Sequence, residues 1–176
     1  MPCEYALNAA PLGIGGVDFY GEAGTGALGS SAHSFESWLT KELGGAADMS
    51  RIAPYLERHE LKVGEALFRQ GEPPDSVELL ASGCVAITIE DQQGRPIRLR
   101  RMMGYTVVGE MGFYRHVPRT ATVIAEEPSV VYRLTRESFD RMQAQDPTAA
   151  SVFHKLIIRL LSDRLEFANR EISALL

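Results

Sequence analysis

The sequence predicts a mainly β fold with flanking helices, a sandwich or barrel with helical segments before and after it. Three observations predict it. From His59 to Arg133, short runs rich in Val, Ile and Leu alternate with turn residues every eight to twelve positions. On either side of that stretch the apolar spacing changes to three and four, the period of a helix. At 176 residues, 45% hydrophobic and 23% charged, the chain can fill one core and is too apolar for wholesale disorder.

The elements follow in order. Residues 1–33 read as a flexible Gly/Ala-rich arm or linker. Nine of the 16 glycines lie in residues 1–45, no Lys or Arg precedes Lys41, and Pro11–Ser31 has neither helical nor strand period. Gly13-Ile14-Gly15-Gly16 lacks the strand, helix and lysine of a phosphate-cradling loop. Residues 34–57 are expected to form N-terminal helices. Ser34 caps Phe35–Leu43, where Phe35, Trp38, Leu39 and Leu43 share a face, and Gly44-Gly45 stop it. Trp38 is expected to pack on that face. A second helix is expected over Ala47–Glu57, bent or split by Pro54.

Residues 58–135 are the expected barrel. Its strands are Leu61–Val63, Ala66–Arg69, Val77–Ala81, Val85–Ile89, Ile97–Met102, Val107–Val108, Thr120–Ala125 and Val130–Leu134. One hairpin has a predicted register. Val85, Ile87 and Ile89 match Ile97 and Leu99 when Ile87 faces Ile97 across the five-residue connection Glu90–Gly94. Arg98 and Arg100 then point outward and join Arg95 and Arg101 in a solvated basic stripe.

Residues 136–176 return to helical period. Arg136–Gln145 is one helix. Pro147 opens a longer one over Thr148–Leu175, with a wide stripe from Phe153 to Leu175. A stripe that wide packs on its own barrel, on a twin helix, or on both.

Charge and composition exclude several functions. Lys+Arg is 18 against Asp+Glu 23, a net charge of -5, which argues against a nucleic-acid partner. Cys3 and Cys84 cannot staple a fold of this size or complete a four-ligand zinc site, and they suit a reducing, cytoplasmic compartment. No apolar run approaches the ~20 residues of a membrane span, and no signal peptide is evident. His33, His59, His116 and His154 are dispersed, with no second ligand beside any of them. Together with the absence of HExxH, GxSxG and P-loop patterns, this points away from an enzyme and from a metal centre.

One stretch carries chemistry, Val107-Val108-Gly109-Glu110-Met111-Gly112-Phe113-Tyr114-Arg115-His116-Val117-Pro118-Arg119-Thr120-Ala121-Thr122-Val123. A strand stops at a glycine, a carboxylate and a short helical turn follow, and an arginine stands at the mouth of the next strand. Short-helix N–H groups and Arg119 suit a phosphate. An ionised Glu110 only accepts hydrogen bonds, so it suits a ribose hydroxyl. The same residues also read as a surface salt bridge between Glu110 and Arg119.

That stretch resembles the phosphate-binding cassette of cyclic nucleotide-binding domains, as in catabolite activator protein and the regulatory subunits of cAMP-dependent kinase. Gly109, Glu110, Met111, Gly112 and Phe113 match its first half, and Pro118, Arg119, Thr120, Ala121, Thr122 and Val123 its second. Upstream, Gly64-Glu65, Phe68, Gly71, Asp75, Gly83 and Val85 resemble the family framework. The resemblance spans residues 47–175 and implies a jelly-roll (double-stranded β-helix) fold with a long C-terminal helix. It implies cAMP or cGMP as ligand and no metal. Glu110 would accept from the ribose 2′-hydroxyl, and Arg119 would pair with the cyclic phosphate. Backbone N–H groups near Gly112 and Ala121, with the Thr120 hydroxyl, would complete the phosphate shell. A residue within Ile158–Arg170 would cover the base.

Three positions depart from the family pattern. Glu78 stands where an aromatic is usual, His116 where a glycine is common, and Cys84 follows the structural Gly83. Cys84 reads as a packing residue, and Glu78 and His116 support a second reading, a degenerate interaction or dimerisation domain without ligand. The chain ends with the long helix, so the expectation is a sensor whose output lies elsewhere: a homodimer through that helix, or a fused membrane transporter domain. Gly104-Tyr105-Thr106-Val107-Val108-Gly109-Glu110-Met111-Gly112-Phe113-Tyr114 is similar to the cytoplasmic domains of bacterial sulfate permease-type transporters.

Overall fold

A computed structural model of the chain describes residues 35–174. The expected arm, the Gly13–Gly16 run and the Ser34 cap lie outside the described residues. Two short helices come first, α1 (Phe35–Leu43) and α2 (Ala46–Ile52), followed by a 3-10 turn, Ala53–Tyr55. The strands are β1 (Glu57–Leu61), β2 (Ala66–Phe68), β3 (Ser76–Ser82), β4 (Cys84–Glu90), β5 (Pro96–Met103) and β6 (Thr106–Val108). A one-and-a-half-turn helix, α3 (Glu110–Arg115), interrupts them before β7 (Thr122–Ala125) and β8 (Ser129–Thr135). Two helices close the order, α4 (Arg136–Gln145) and α5 (Pro147–Ala174).

The strands form two antiparallel four-stranded sheets, in the orders β1-β8-β3-β6 and β2-β7-β4-β5. Strand alternation divides the core. Leu80, Val108 and Val131 of the first sheet meet Phe68, Val85, Met102 and Val123 of the second. On the other face of the first sheet, Val77, Leu79, Val107 and Leu134 pack against Leu39, Ile52, Phe139, Phe153 and Leu156 of the helices. The molecule is therefore layered: helices, sheet, inner core, sheet. Phe35 stacks on Tyr132 at 4.8 Å, and Trp38 on Tyr105 at 5.3 Å, so the Trp38 face packs on the barrel as expected.

Helix ends are held by side chains. The Thr135 hydroxyl accepts from the Ser138 N–H at 3.1 Å and caps α4. Asp146 accepts from the Ala149 N–H at 3.0 Å ahead of α5, and it also pairs with Arg51 of α2 at 2.8 Å.

Three expectations are corrected. The second helix stops at Ile52, and Glu57 already belongs to a strand. The first strand is Glu57–Leu61, not Leu61–Val63. It is an edge strand with only Leu61 buried, so its charged sequence carries no apolar alternation. The β4–β5 hairpin has the predicted five-residue connection, but over Asp91–Arg95, with Ile89 opposite Ile97. A bulge between Ile87 and Thr88 then sets Ile87 opposite Arg100 and Val85 opposite Met102. Arg100 therefore turns to the inner face, while Arg98 and Arg101 stay outside and both reach Glu126, at 3.1 and 2.5 Å. Ile97 and Leu99, expected to be covered, are exposed near the hairpin tip.

Gly83 makes the tightest of the strand connections, between β3 and β4. Its φ is 87°, and a Cβ there would lie 2.2 Å from Ser129 Oγ and 2.6 Å from the Pro128 carbonyl oxygen. Cys84 beside it is fully buried, and burial pushes its thiol up to about 11. Gly83→Ala is expected to lower unfolding stability by about 2–4 kcal/mol in urea titration, from strain plus backbone displacement. A change within about 0.5 kcal/mol would show that the β3–β4 turn is pliable.

Candidate functional site

The polypeptide between β6 and β7 wraps one end of the inner core. Gly109 ends β6 in the left-handed region, with φ 82°. A side chain could not stand there: a Cβ would lie 2.5 Å from Arg119 Nη1 and 2.9 Å from Glu78 Oε2. His116 ends α3 at φ 55°, a conformation that explains why glycine is common at this position. Gly112 lies against Pro74, and Phe113 is fully buried against Phe139 of α4. Arg136 of α4 covers the Phe113 ring and donates to its carbonyl, so α3 is fastened to the helical layer.

Arg119 points inward and is 3% exposed. Its Nη1 donates to the Ser76 carbonyl at 2.7 Å and to the Gly109 carbonyl at 3.1 Å. Its Nη2 donates to Ser76 Oγ at 2.8 Å, and the guanidinium lies over the Phe68 ring at 4.0 Å. Ser76 Oγ in turn donates to Glu78 Oε1 at 2.6 Å. Glu78 is fully buried, and Arg133 of β8 donates to the same oxygen at 3.2 Å. Burial pushes the Glu78 carboxyl above its usual range, against the opposing pull of Ser76, Arg119 and Arg133. Two buried polar atoms in this set have no hydrogen-bond partner among the described residues, Glu78 Oε2 and Arg119 Nε. The main chain closes the set: the Arg119 N–H donates to the Glu72 carbonyl, and the Gly71 N–H to the Arg119 carbonyl.

Glu110, 7% exposed, stands at the other end of this strand–helix junction. Its Oε1 accepts from Arg164 Nη1 of α5 at 3.0 Å. Arg164 Nη2 also donates to Thr106 Oγ1 at 3.0 Å and to the Val107 carbonyl of edge strand β6 at 2.8 Å. Arg100 enters from β5, near enough to Arg164 and Glu110 to feel both charges. The charged lining is thus Glu110, Arg164 and Arg100 at one end, and Arg119, Glu78, Arg133 and Asp75 at the other.

The sequence-derived residues separate into two groups. Glu110 and Arg119 are both buried, but their ion pairs run to other residues, so the surface salt bridge between them is not formed. Gly109 and Gly112 are the close-approach points. Met111 and Thr120 have exposed side chains, and Ala121 is half-buried. Within the range Ile158–Arg170, Arg164 is the side chain that reaches Glu110. Sequence reasoning missed Ser76, the main partner of Arg119. Its position next to Asp75, at the start of a strand that feeds the core, was the available signal.

Comparison with known proteins bears on the family and the fold. The sequence pattern described as the cyclic nucleotide-binding domain matches residues 58–146. Acetyltransferase Pat of Mycolicibacterium smegmatis is 36% identical over 89 residues, 51% of this chain and 26% of that protein. The crystal structure of a cyclic nucleotide-binding domain from Methylobacillus flagellatus superposes with a TM-score of 0.69 at 17% identity, covering 80% of this chain and 84% of that one, a likeness of fold. The regulatory domain of Toxoplasma gondii PKA, crystallised with cAMP, superposes with a TM-score of 0.56 at 25% identity, covering 69% of this chain and 47% of that one. The chain spans about a quarter of the length of acetyltransferase Pat and as little as 8% of another curated relative that it matches. The relatives named here include no sulfate permease, and that expectation draws no support from them. Among the described residues, no helix is long and apolar enough to cross a membrane, and no group of three or more His, Cys, Asp or Glu is arranged to hold a metal.

Because Arg119 offsets a fully buried carboxylate, Arg119→Ala is expected to destabilise the ligand-free protein by roughly 3–5 kcal/mol in chemical denaturation. Arg119→Ala with Glu78→Gln is expected to recover a large part of that loss. A single Arg119→Ala variant as stable as the wild type would show that the two charges are not coupled.

Proposed function

Since this chain belongs to the cyclic nucleotide-binding domain family, we propose that it is a regulatory module that binds cAMP or cGMP between Glu110 and Arg119. In this reading it relays binding through α5. The observation that carries the proposal is the pairing of Glu110 with Arg164. The residue that suits the ribose is already coupled to the helix that suits the relay.

Each residue then has a physical task. Glu110 accepts from the ribose 2′-hydroxyl, a charge-assisted bond made in a largely dry site. Arg119 supplies the positive charge for the cyclic phosphate. To reach it, the guanidinium has to give up at least one of the protein acceptors it holds at Ser76 and Gly109. Backbone N–H groups near Gly112 and Ala121, with the exposed Thr120 hydroxyl, are the further phosphate donors. Arg164 responds because ribose and guanidinium share one carboxylate. A ligand that binds one arrangement of α5 better than another shifts the population by that difference in affinity.

The output is proposed to lie on a partner or fused domain, with a second copy of this chain as the first partner. Ile158, Leu165 and Ile172 on α5 are exposed, at 64%, 63% and 59%, and recur every seven residues. Leu161 and Ala168 fall between them at the spacing of a two-stranded coiled coil. A helix that buried this stripe against its own barrel would not leave it outside.

Calorimetric titration with cAMP and with cGMP is the test. The folded wild type is expected to bind one or both, and Glu110→Gln to weaken binding about 10- to 100-fold, the worth of a hydrogen bond to a charged group. No binding of either nucleotide by folded wild type would overturn the reading and leave the ligand-free interaction domain. Sedimentation is expected to show a concentration-dependent dimer that Leu165→Glu converts to monomer. A wild type that stays monomeric at high concentration would remove the second copy from the proposal.

A further inference from the structure

Glu78 is the buried charge that the proposed binding reaction does not use. It lies on the inner face of β3, opposite Val108 of β6 and Arg133 of β8. Every charged group facing it can be named. Arg119 approaches from the polypeptide leading into β7, Arg133 from β8, and Asp75 from the start of its own strand, 3.6 Å from Arg119 Nη2. Glu72, from the loop before β3, acts on Arg119 as well. The two apolar neighbours are Val108 and the Phe68 ring over which Arg119 lies.

Arg119 and Glu78 are the two fully buried charges here; Arg133 is partly exposed, and the Asp75 carboxylate lies largely in solvent. A cyclic phosphate that meets Arg119 brings a second anion to the guanidinium that Glu78 already faces, in a region of low dielectric. Glu78 Oε2 stands within 3 Å of the same point beside Gly109 as Arg119 Nη1, and it makes no hydrogen bond. An ionised oxygen placed there repels an incoming phosphate. A protonated one gains a hydrogen-bond donor and stops competing for the guanidinium.

We propose that Glu78 is an internal anion that competes with the ligand's phosphate for Arg119, so that this chain binds cyclic nucleotide with uptake of a proton at Glu78 and with an affinity set by that residue. The inference rests on the assignment of Arg119 as the phosphate partner. The proton comes from solvent and ends on a Glu78 carboxylate oxygen, and no other bond changes. The sign follows from linkage. Burial already raises the ligand-free carboxyl, and a neighbouring phosphate raises it further. Between those two values, affinity falls by about tenfold for each pH unit of increase. Below the lower value it is flat and high, and above the upper value it is flat and low.

The experiment is calorimetric titration of the full chain with cAMP and with cGMP at a series of pH values from about 5.5 to about 8.5. Buffers of different ionisation enthalpy count the protons taken up. Wild type and Glu78→Gln are compared, with circular dichroism and urea midpoints confirming that both are folded. His116 is exposed on the same loop and is common to both proteins, so the difference between them reports Glu78. The expected result is proton uptake by wild type, none attributable to position 78 in Glu78→Gln, and binding at about pH 8 at least tenfold tighter in the variant. Binding by Glu78→Gln at a pH where wild type has lost it, with wild type still binding at lower pH, supports the same conclusion. Equal or weaker binding by Glu78→Gln, with the pH dependence of wild type, overturns the role of Glu78 and leaves the nucleotide reading standing. No binding by either folded protein at any pH overturns that reading, and this inference with it. Should Glu78→Gln fail to fold, Glu78→Tyr, which restores the aromatic usual in the family, is held to the same outcomes.

Discussion

A guanidinium carried between two β-sheets has to find acceptors for its N–H groups, and the acceptors found by Arg119 fix the geometry around it. Two are backbone carbonyls, at Ser76 and Gly109, and one is the Ser76 hydroxyl. Carbonyls that point into a core are available only where strands start or stop, which is where Ser76 and Gly109 lie. The rest follows from that choice. Position 109 must lack a Cβ because the guanidinium fills that space. The chain must turn left-handed there, so β6 ends and α3 begins. Arg119 must arrive at the right depth, and its main chain is set by reciprocal hydrogen bonds with Gly71 and Glu72. A buried charge of this kind is costly unless every partner is in place, so this corner of the fold is specified more tightly than its short strands would suggest.

Much of this was legible in the sequence, and the parts that were not share a physical cause. The helices over Phe35–Leu43 and Arg136–Gln145 were delimited by Gly44-Gly45 and by Pro147, signals that act locally. Glu110 and Arg119 were legible because glycines and Pro118 frame them. What the sequence did not disclose depends on pairing between distant segments. The bulge at Ile87/Thr88 sends Arg100 inward, and no local pattern announces an inserted residue. β1 takes its place from hydrogen bonds to β8, so the charged run Glu57-Arg58-His59-Glu60 is a strand in spite of its composition. Ser76, Glu78 and Arg164 are brought to the cassette from β3 and α5. Only the three-dimensional closure makes them its partners.

The layering also explains how the two ends of this strand–helix junction can act on different parts of the molecule. Arg119 and Glu78 sit between the sheets, where neither sheet can move without disturbing the inner core. Glu110 sits beside edge strand β6, whose free side faces α5. A change at Arg119 is therefore absorbed by the cassette, through α3 and its fastening to Arg136 of α4. A change at Glu110 passes directly to α5 through a single guanidinium. On the proposed reading, the tight end selects the ligand and the edge reports it.

That division constrains how large a response the module can give. Arg164 and Leu165 are consecutive on α5, so their side chains point about 100° apart around one helix axis. One faces Glu110, and the other belongs to the exposed stripe of Ile158, Leu165 and Ile172. A rigid helix cannot move the first without moving the second. The contact at stake is one carboxylate–guanidinium pair with two further hydrogen bonds from Arg164. Charged hydrogen bonds of that number are worth a few kcal/mol net, whereas inverting a population from 1:99 to 99:1 takes about 5.5 kcal/mol. Displacement of Arg164 by itself supports a graded shift in the position of α5. A switch-like response requires that the stripe's own partner add to the difference between the two states. Cooperativity in this module, on the proposed reading, is thus a property of what α5 docks against as much as of the nucleotide site.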